Sequence, residues 1–151
     1  MKIKIYVVAR KCLNCEEYVK MARAFGVEIE IINIFNAKIQ SAHKLSLDSA
    51  RTAYQSELEK YITSNSIALD LGGKELDSAG FSEILRGEIL RGKNSIEFFI
   101  GGAYGFGAEF LRKVRSVSLS KLTFSHKIVP LILCEQIYRA FSIINHHPYH
   151  K

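Results

Sequence analysis

Residues 95–107 read SIEFFIGGAYGFG. An apolar, aromatic-rich run that breaks at once into a glycine-rich loop reads as a strand ending in a tight turn. Glycine lets the backbone bend sharply and lets a ligand approach main-chain N–H and C=O groups closely. The spacing is Gly101-Gly102-x-x-Gly105. It is not the G-x-G-x-x-G of dinucleotide sites, and no clear acidic ribose ligand follows about 20 residues on. On spacing alone the loop serves equally as a structural turn or as a ligand loop.

Working outward, the same strand-then-helix pattern recurs. Upstream, Lys2 to Ala9 and Val27 to Phe35 alternate like strands, and Ser66 to Leu71 is a short strand of the buried type. Between them Tyr18, Met21, Ala22 and Phe25 repeat at helical spacing, with Gly26 as the stop. Residues 36–45 show no period and are expected to be a loop. Ser46 then caps a helix carrying Leu47, Ala50, Tyr54, Leu58, Tyr61 and Ile62. Gly72-Gly73-Lys74 is expected to turn the chain, Ser78 to start a helix, and Gly92 to end it. Downstream come a short helix near 108–113, a last strand over Ser116 to Leu119, and a hydroxyl-rich turn from Ser120 to His126. A long apolar helix begins near Lys127, with Pro130 tolerated in its first turn. Strands alternating with helices predict one α/β domain over 1–151, with a mostly parallel sheet covered on both faces. Ligands of such sheets sit beyond the carboxyl ends of the strands. The loops at 72–73, 101–107 and 120–126 occupy those ends.

Composition narrows the class. The 151 residues are 48% hydrophobic and 24% charged, enough for one core. No apolar run is long enough for a membrane helix, and MKIKIYVVARK is too short and too alternating for a signal peptide. A cytoplasmic protein with no membrane partner is expected. Charge is unevenly spread: residues 1–110 hold 14 basic and 14 acidic side chains, whereas 111–151 hold seven basic residues and one acid, Glu135. The formal +6 therefore falls in the last 41 residues. Such an excess suits a polyanion such as nucleic acid; solvated lysines are the plain alternative.

Other motifs in the chain read in more than one way. Cys12-x-x-Cys15 follows a strand and opens a helix, as a redox motif would, but lacks the usual residues between the cysteines. With no second Cys or His pair, a four-ligand zinc site is not expected. His126 could orient a substrate or cap the following helix. Glu135 and Arg139 stand four apart, the spacing of an intrahelical ion pair. Arg139 on a largely apolar helix also suits a phosphate. Tyr149, with His147, His150 and Lys151 around it, offers a stacking face and cationic donors of the kind single-stranded RNA uses.

At these residues the sequence resembles the RlmH methyltransferases, small SPOUT-class enzymes that methylate N3 of a pseudouridine in bacterial 23S ribosomal RNA. The shared motifs are Leu69-Asp70-x-x-Gly73-Lys74 with Leu76 and Ser78, then Phe99-Ile100-Gly101-Gly102-x-x-Gly105, then Ser118-x-Ser120-Lys121-Leu122-Thr123-Phe124-x-His126. Glu135-Gln136-x-Tyr138-Arg139-Ala140 and Tyr149-His150-Lys151 complete the set. The resemblance implies a C-terminal trefoil knot, an S-adenosylmethionine (SAM) pocket and a homodimer with the active site at its interface. The implied cofactor contacts are Leu69, Asp70, Gly101, Gly102, Gly105, Ser120, Lys121, Leu122, Thr123, Phe124 and Ser125. Arg139, His126, Tyr149 and His150 are expected to position substrate or handle protons, with 23S rRNA or the ribosome as partner and no metal. Pro130 and Ser125 depart from the family pattern, which usually has Arg and Pro there. The rival reading is a non-catalytic RNA- or ribosome-binding module with the same fold. A Rossmann-type nucleotide enzyme is a weaker one.

Overall fold

Ile3, Ile5 and Val7 point to one side of the sheet, and Tyr6 and Val8 to the other, as the two-residue period of a strand requires. Both sets are buried, so the sheet must be covered twice. The computed structural model describes residues 1–149. Its strands are β1 (Lys2–Val7), β2 (Glu28–Asn33), β3 (Ser66–Glu75), β4 (Ser95–Ile100) and β5 (Arg115–Ser118). Their order is β2-β1-β4-β3-β5, with every pairing parallel.

On one face lie α1 (Glu16–Ala22), α4 (Ser78–Leu90) and α6 (Val129–Ile144). There Leu85 of α4 and Leu133, Ile137 and Phe141 of α6 pack on Ile5, Ile67 and Phe98. On the other lie α2 (Ala37–His43) and α3 (Leu47–Leu58), with the single-turn α5 (Ala108–Leu111) beside them. Ile39, Tyr54, Leu58 and Phe110 pack there on Tyr6, Ala68 and Phe99. The parallel α/β expectation therefore holds. Each fully buried side chain of the Leu or Phe class contributes ~1.5–3 kcal/mol.

The local signals work as chemistry predicts at several points. Ser46 Oγ accepts the Ser49 N–H at 3.0 Å, capping α3. Gly26 takes the left-handed φ of 70° that ends the first helical segment. Pro130 falls in the first turn of α6 and is buried.

Two expectations are corrected. Residues 36–45 are no loop: Asn36 Oδ1 accepts the Ile39 N–H at 3.0 Å and starts α2, whose buried face is only Ile39 and Ala42. Gly72-Gly73-Lys74 is no simple turn, because β3 continues to Glu75. Ser78 is the first residue of α4, as expected, and Asp77 caps it: its Oδ1 accepts the Gly80 N–H at 2.7 Å.

The candidate cofactor cavity and the Arg139 cluster

The carboxyl ends of β3, β4 and β5 lie level, since Leu69 pairs with both Ile100 and Val117. Val117 also pairs with Lys74, so residues 70–73 leave the ladder as a bulge. Asp70 Oδ2 pins that bulge by accepting the Gly72 N–H at 2.9 Å. Glycine is required at 73: a Cβ there would meet the Val117 backbone at 2.6 Å. Gly73 thus lets β3 rejoin β5 past the bulge.

The loop after β4 is folded on itself. The Gly105 N–H donates to the Gly102 carbonyl at 3.0 Å, and Gly105 has φ 65°. A Cβ on Gly102 would stand 2.7 Å from Cζ and Oη of Tyr54. Tyr54 is fully buried beneath the loop, and burial raises its phenol pKa to about 12. Its hydroxyl is 2.5 Å from His43 Nε2. A phenol that stays protonated donates this bond to the imidazole. From α3, Arg51 Nε donates to the Tyr104 carbonyl at 2.9 Å, tying the loop from the other side.

The third loop is stitched by its own hydroxyls. Ser118 Oγ donates to the Ser120 carbonyl at 3.0 Å, and Ser120 Oγ accepts the Leu122 N–H at 3.0 Å. Ser125 Oγ accepts the Lys127 N–H at 3.3 Å, while its carbonyl accepts from Ile128 at 2.9 Å. The serine at this departure from the family pattern therefore turns the chain into α6 by hydrogen bonding where a proline would do so by rigidity.

These three loops enclose a cavity of about 580 Å³. Ten of the eleven expected cofactor contacts border it: Leu69, Asp70, Gly101, Gly102, Gly105, Ser120, Leu122, Thr123, Phe124 and Ser125. Lys121 does not; its side chain is 84% exposed and reaches Glu75 at 3.9 Å. His126 also lines the wall. Burial, then the neighbouring charges of Lys127 and His43, hold its pKa below the ordinary 6.5. The ring is therefore neutral at pH 7.

Arg139 and Tyr149 do not border the cavity. They form a second cluster on α6. Glu135 Oε1 accepts from Arg139 Nε at 3.0 Å and from the Tyr149 hydroxyl at 3.3 Å. The guanidinium lies 5.0 Å from the centre of the Tyr149 ring, which packs edge-on against Tyr138 at 4.6 Å. The hydrogen bond to Glu135 raises the Arg139 pKa further. The intrahelical ion pair is thus present, and within one chain the expected site residues fall into two groups. His150 lies outside the described residues.

Charge is redistributed in space. Of the carboxyl-terminal cations, Arg112, Lys113, Arg115, Lys121 and Arg139 each lie within 4.0 Å of a carboxylate, four of them supplied by the first 110 residues. Among them Glu88 is almost fully buried and 2.6 Å from both Arg91 and Arg115. Burial opposes its ionisation, but hydrogen bonds from the two guanidiniums hold its carboxyl below the ordinary range.

Sequence reasoning missed the roles of Arg51, Tyr54 and His43. Tyr54 reads only as one apolar position of a helix face, and nothing distinguishes Arg51 or His43 until the fold brings them under the 101–107 loop. Cys12, Cys15 and Cys134 are free thiols, and the Cys15 thiol donates to the Leu13 carbonyl at 3.2 Å. Among the described residues no metal-ligating cluster is formed and no helix is long and apolar enough to cross a membrane.

The comparisons with known proteins agree with this geometry. A ribosomal RNA large subunit methyltransferase H from Wolinella succinogenes is 42% identical over 159 aligned positions, covering all of both chains. A protein of the same name from Helicobacter hepaticus is 40% identical over 158, again covering all of both. A small subunit methyltransferase E from Neisseria gonorrhoeae, solved with S-adenosyl methionine, superposes with a TM-score of 0.43 at 12% identity over 95% of this chain and 65% of that one. That likeness is too distant to carry an argument. The family described as "Predicted SPOUT methyltransferase" matches residues 1–150. With a parallel sheet, a glycine-walled cavity at its carboxyl edge and full-length relatives at this identity, the chain belongs to the SPOUT methyltransferase family, in its RlmH group.

Proposed function

We propose that this protein is a cytoplasmic, SAM-dependent methyltransferase that modifies N3 of a pseudouridine in large-subunit ribosomal RNA. The single observation that carries the reading is the convergence of three glycine- and hydroxyl-rich loops on one cavity, in a chain that matches its relatives end to end. The cavity suits the cofactor. Its volume falls in the ~300–1,000 Å³ range of small-molecule sites. Its wall mixes apolar Leu69, Ile100 and Phe106 with the hydroxyls of Ser120, Thr123 and Ser125 and the carboxylate of Asp70. Bare glycine backbone at 101, 102 and 105 offers main-chain groups to a flat base.

When bound, the cofactor supplies an electrophilic methyl group. The chain's part is to align an in-line transfer and exclude water. The loops at 70–73, 101–107 and 120–126 hold the donor side. The imide N3 must give up its proton as the methyl arrives. His126, neutral and in the cavity wall, is placed to accept it; Arg139 supplies positive charge for the N3 anion, and Tyr149 and His150 position the base. His126 and the Arg139 cluster stand apart in one chain. We place them together across the interface of a homodimer, with the C-terminal segment threading a loop to make a trefoil knot, as the family resemblance implies. The exposed Leu71, Leu122 and Phe124 at the cavity mouth support such an interface.

Titration calorimetry with SAM and, separately, NAD tests the cofactor. SAM is expected to bind and NAD to give no heat; the opposite pattern would return the chain to the Rossmann-type alternative.

A further inference from the structure

Most of the described carboxyl-terminal cations face a carboxylate, whereas several cations of the first 110 residues do not. Apart from Lys127, the described carboxyl-terminal cations are paired, as above. Arg10, Lys11, Lys44 and Arg51 pair with no carboxylate among the described residues; like Lys4, Arg23, Lys74 and Lys93, which also pair with none, they belong to the first 110 residues, whose net charge is zero. Arg51 lines the cavity, and Arg10 is linked to it through a run of ring contacts. Arg10 is exposed, donates from Nη2 to Gln40 Oε1 at 2.8 Å, and lies with its guanidinium 4.7 Å from the centre of the Phe35 ring. Phe35 meets the His43 ring edge-on at 5.8 Å, and His43 meets Tyr104 at 5.3 Å. Tyr104, itself exposed, is bonded through its carbonyl to Arg51 at the cavity wall. Lys44 follows His43 on the surface, and Lys127 follows His126. The result is a path of alternating cations and aromatic rings that ends where Tyr104 and His126 border the cavity.

We propose that this path, formed by Arg10, Phe35, His43, Lys44 and Tyr104, is the surface along which a single-stranded RNA segment reaches the cavity. It rests on the methyltransferase reading above. Phosphates need cations that are free to shed counterions, and the paired carboxyl-terminal cations have already spent that capacity on acids of their own chain. A guanidinium oriented over an aromatic ring suits the planar recognition of a phosphate. Bases stack on aromatic faces with little regard to sequence; of these rings Tyr104 is exposed, and Phe35 and His43 are half-buried. An acidic protein surface would use the cations but leave the rings without a role.

The test measures binding apart from methyl transfer. The wild type and the double variant Arg10→Gln, Lys44→Gln are titrated with a fluorescein-labelled single-stranded polyuridine oligonucleotide and with large ribosomal subunits over a salt series. Each lost phosphate contact reduces the slope of log K against log salt by about 0.7. The double variant should therefore show a slope shallower by about 1.4 and bind roughly tenfold or more weakly, with SAM affinity and molecular mass unchanged. Arg112→Gln, Lys113→Gln, which removes paired cations, should bind like the wild type. A wild-type slope in the Arg10/Lys44 variant, or a loss confined to the Arg112/Lys113 variant, overturns the proposal. Loss on ribosomal subunits but not on the oligonucleotide would overturn it in favour of a protein contact, and dissociation of the variant would overturn it in favour of a subunit interface. If the wild type methylates ribosomes while the Arg10/Lys44 variant binds and turns over normally, only this surface falls. A wild type that binds neither probe takes the methyltransferase reading down with it.

Discussion

Placing one methyl group on Gly102 tests the geometry beneath the cavity. In Gly102→Ala the new Cβ would lie 2.7 Å from two atoms of Tyr54 and 3.1 Å from a third. Tyr54 cannot swing away freely: it is fully buried, packed in the second core, and held by His43 at 2.5 Å. The strain must therefore be absorbed by the 101–107 loop or by the core. Overpacking of this kind costs ~1–3 kcal/mol. For a chain of this length each kcal/mol lowers Tm by about 2–4 °C. If the loop yields, the cavity wall moves, and a misfit of about 1.4 kcal/mol in the bound state weakens SAM tenfold. Gly105→Ala is the control. A Cβ there meets nothing within 4 Å, so only the left-handed φ of 65° is penalised, at about 1–2 kcal/mol. Asn tolerates that region, so Gly105→Asn should recover much of the loss and Gly102→Asn none. Differential scanning calorimetry and SAM titration read both effects. A Gly102→Ala protein with wild-type Tm and wild-type SAM affinity would refute the claim that Tyr54 supports the loop.

Three further predictions concern charge and proton transfer. Arg139→Ala should lower methyl transfer far more than SAM affinity, because Arg139 lies off the cavity; equal loss of both in paired transfer and calorimetry assays would remove it from the substrate side. The His126 pKa is depressed by burial, so its neutral form predominates at and above pH 6.5. If it accepts the N3 proton, kcat/KM should show an acid limb below pH 6.5 that His126→Gln abolishes, and an unchanged profile in that variant would exclude the role. Glu88 has a depressed pKa, so its stabilisation is present above the ordinary carboxylate range, near 4.3, and is lost as pH falls through the folded-state value. Glu88→Gln should cost about 1–3 kcal/mol at pH 7, with the gap from wild type closing in acid denaturation below about pH 4; a gap independent of pH would show that its charge contributes nothing.

Much of this fold is written in periodicity. The alternation in Lys2–Val7 and Glu28–Asn33 marks strands, the apolar run Ser95–Ile100 marks one buried on both faces, and the helices between them make the sheet parallel. The glycine loops also place the cavity, since ligands of such sheets collect at strand ends. What escaped was decided by contacts between distant residues. α2 presents only two buried side chains over seven residues, too few for a period to show, although Asn36 as a cap was a usable signal. Gly72-Gly73 looks like a turn until Val117 is known to lie against Gly73. Charge misled most. The sequence concentrates its excess after residue 110, yet folding returns Glu59, Glu75, Glu88 and Glu109 to those cations. Apart from Lys127, the described cations that face no carboxylate come from the residues that sum to zero.

The most direct test of the central claim is transfer of a tritiated methyl group from SAM to ribosomes that lack the modification, followed by mass mapping of the labelled nucleoside. The account predicts one methyl per large subunit, on N3 of a pseudouridine. SAM binding without transfer to either assembled ribosomes or free rRNA would contradict it and leave a non-catalytic RNA-binding module.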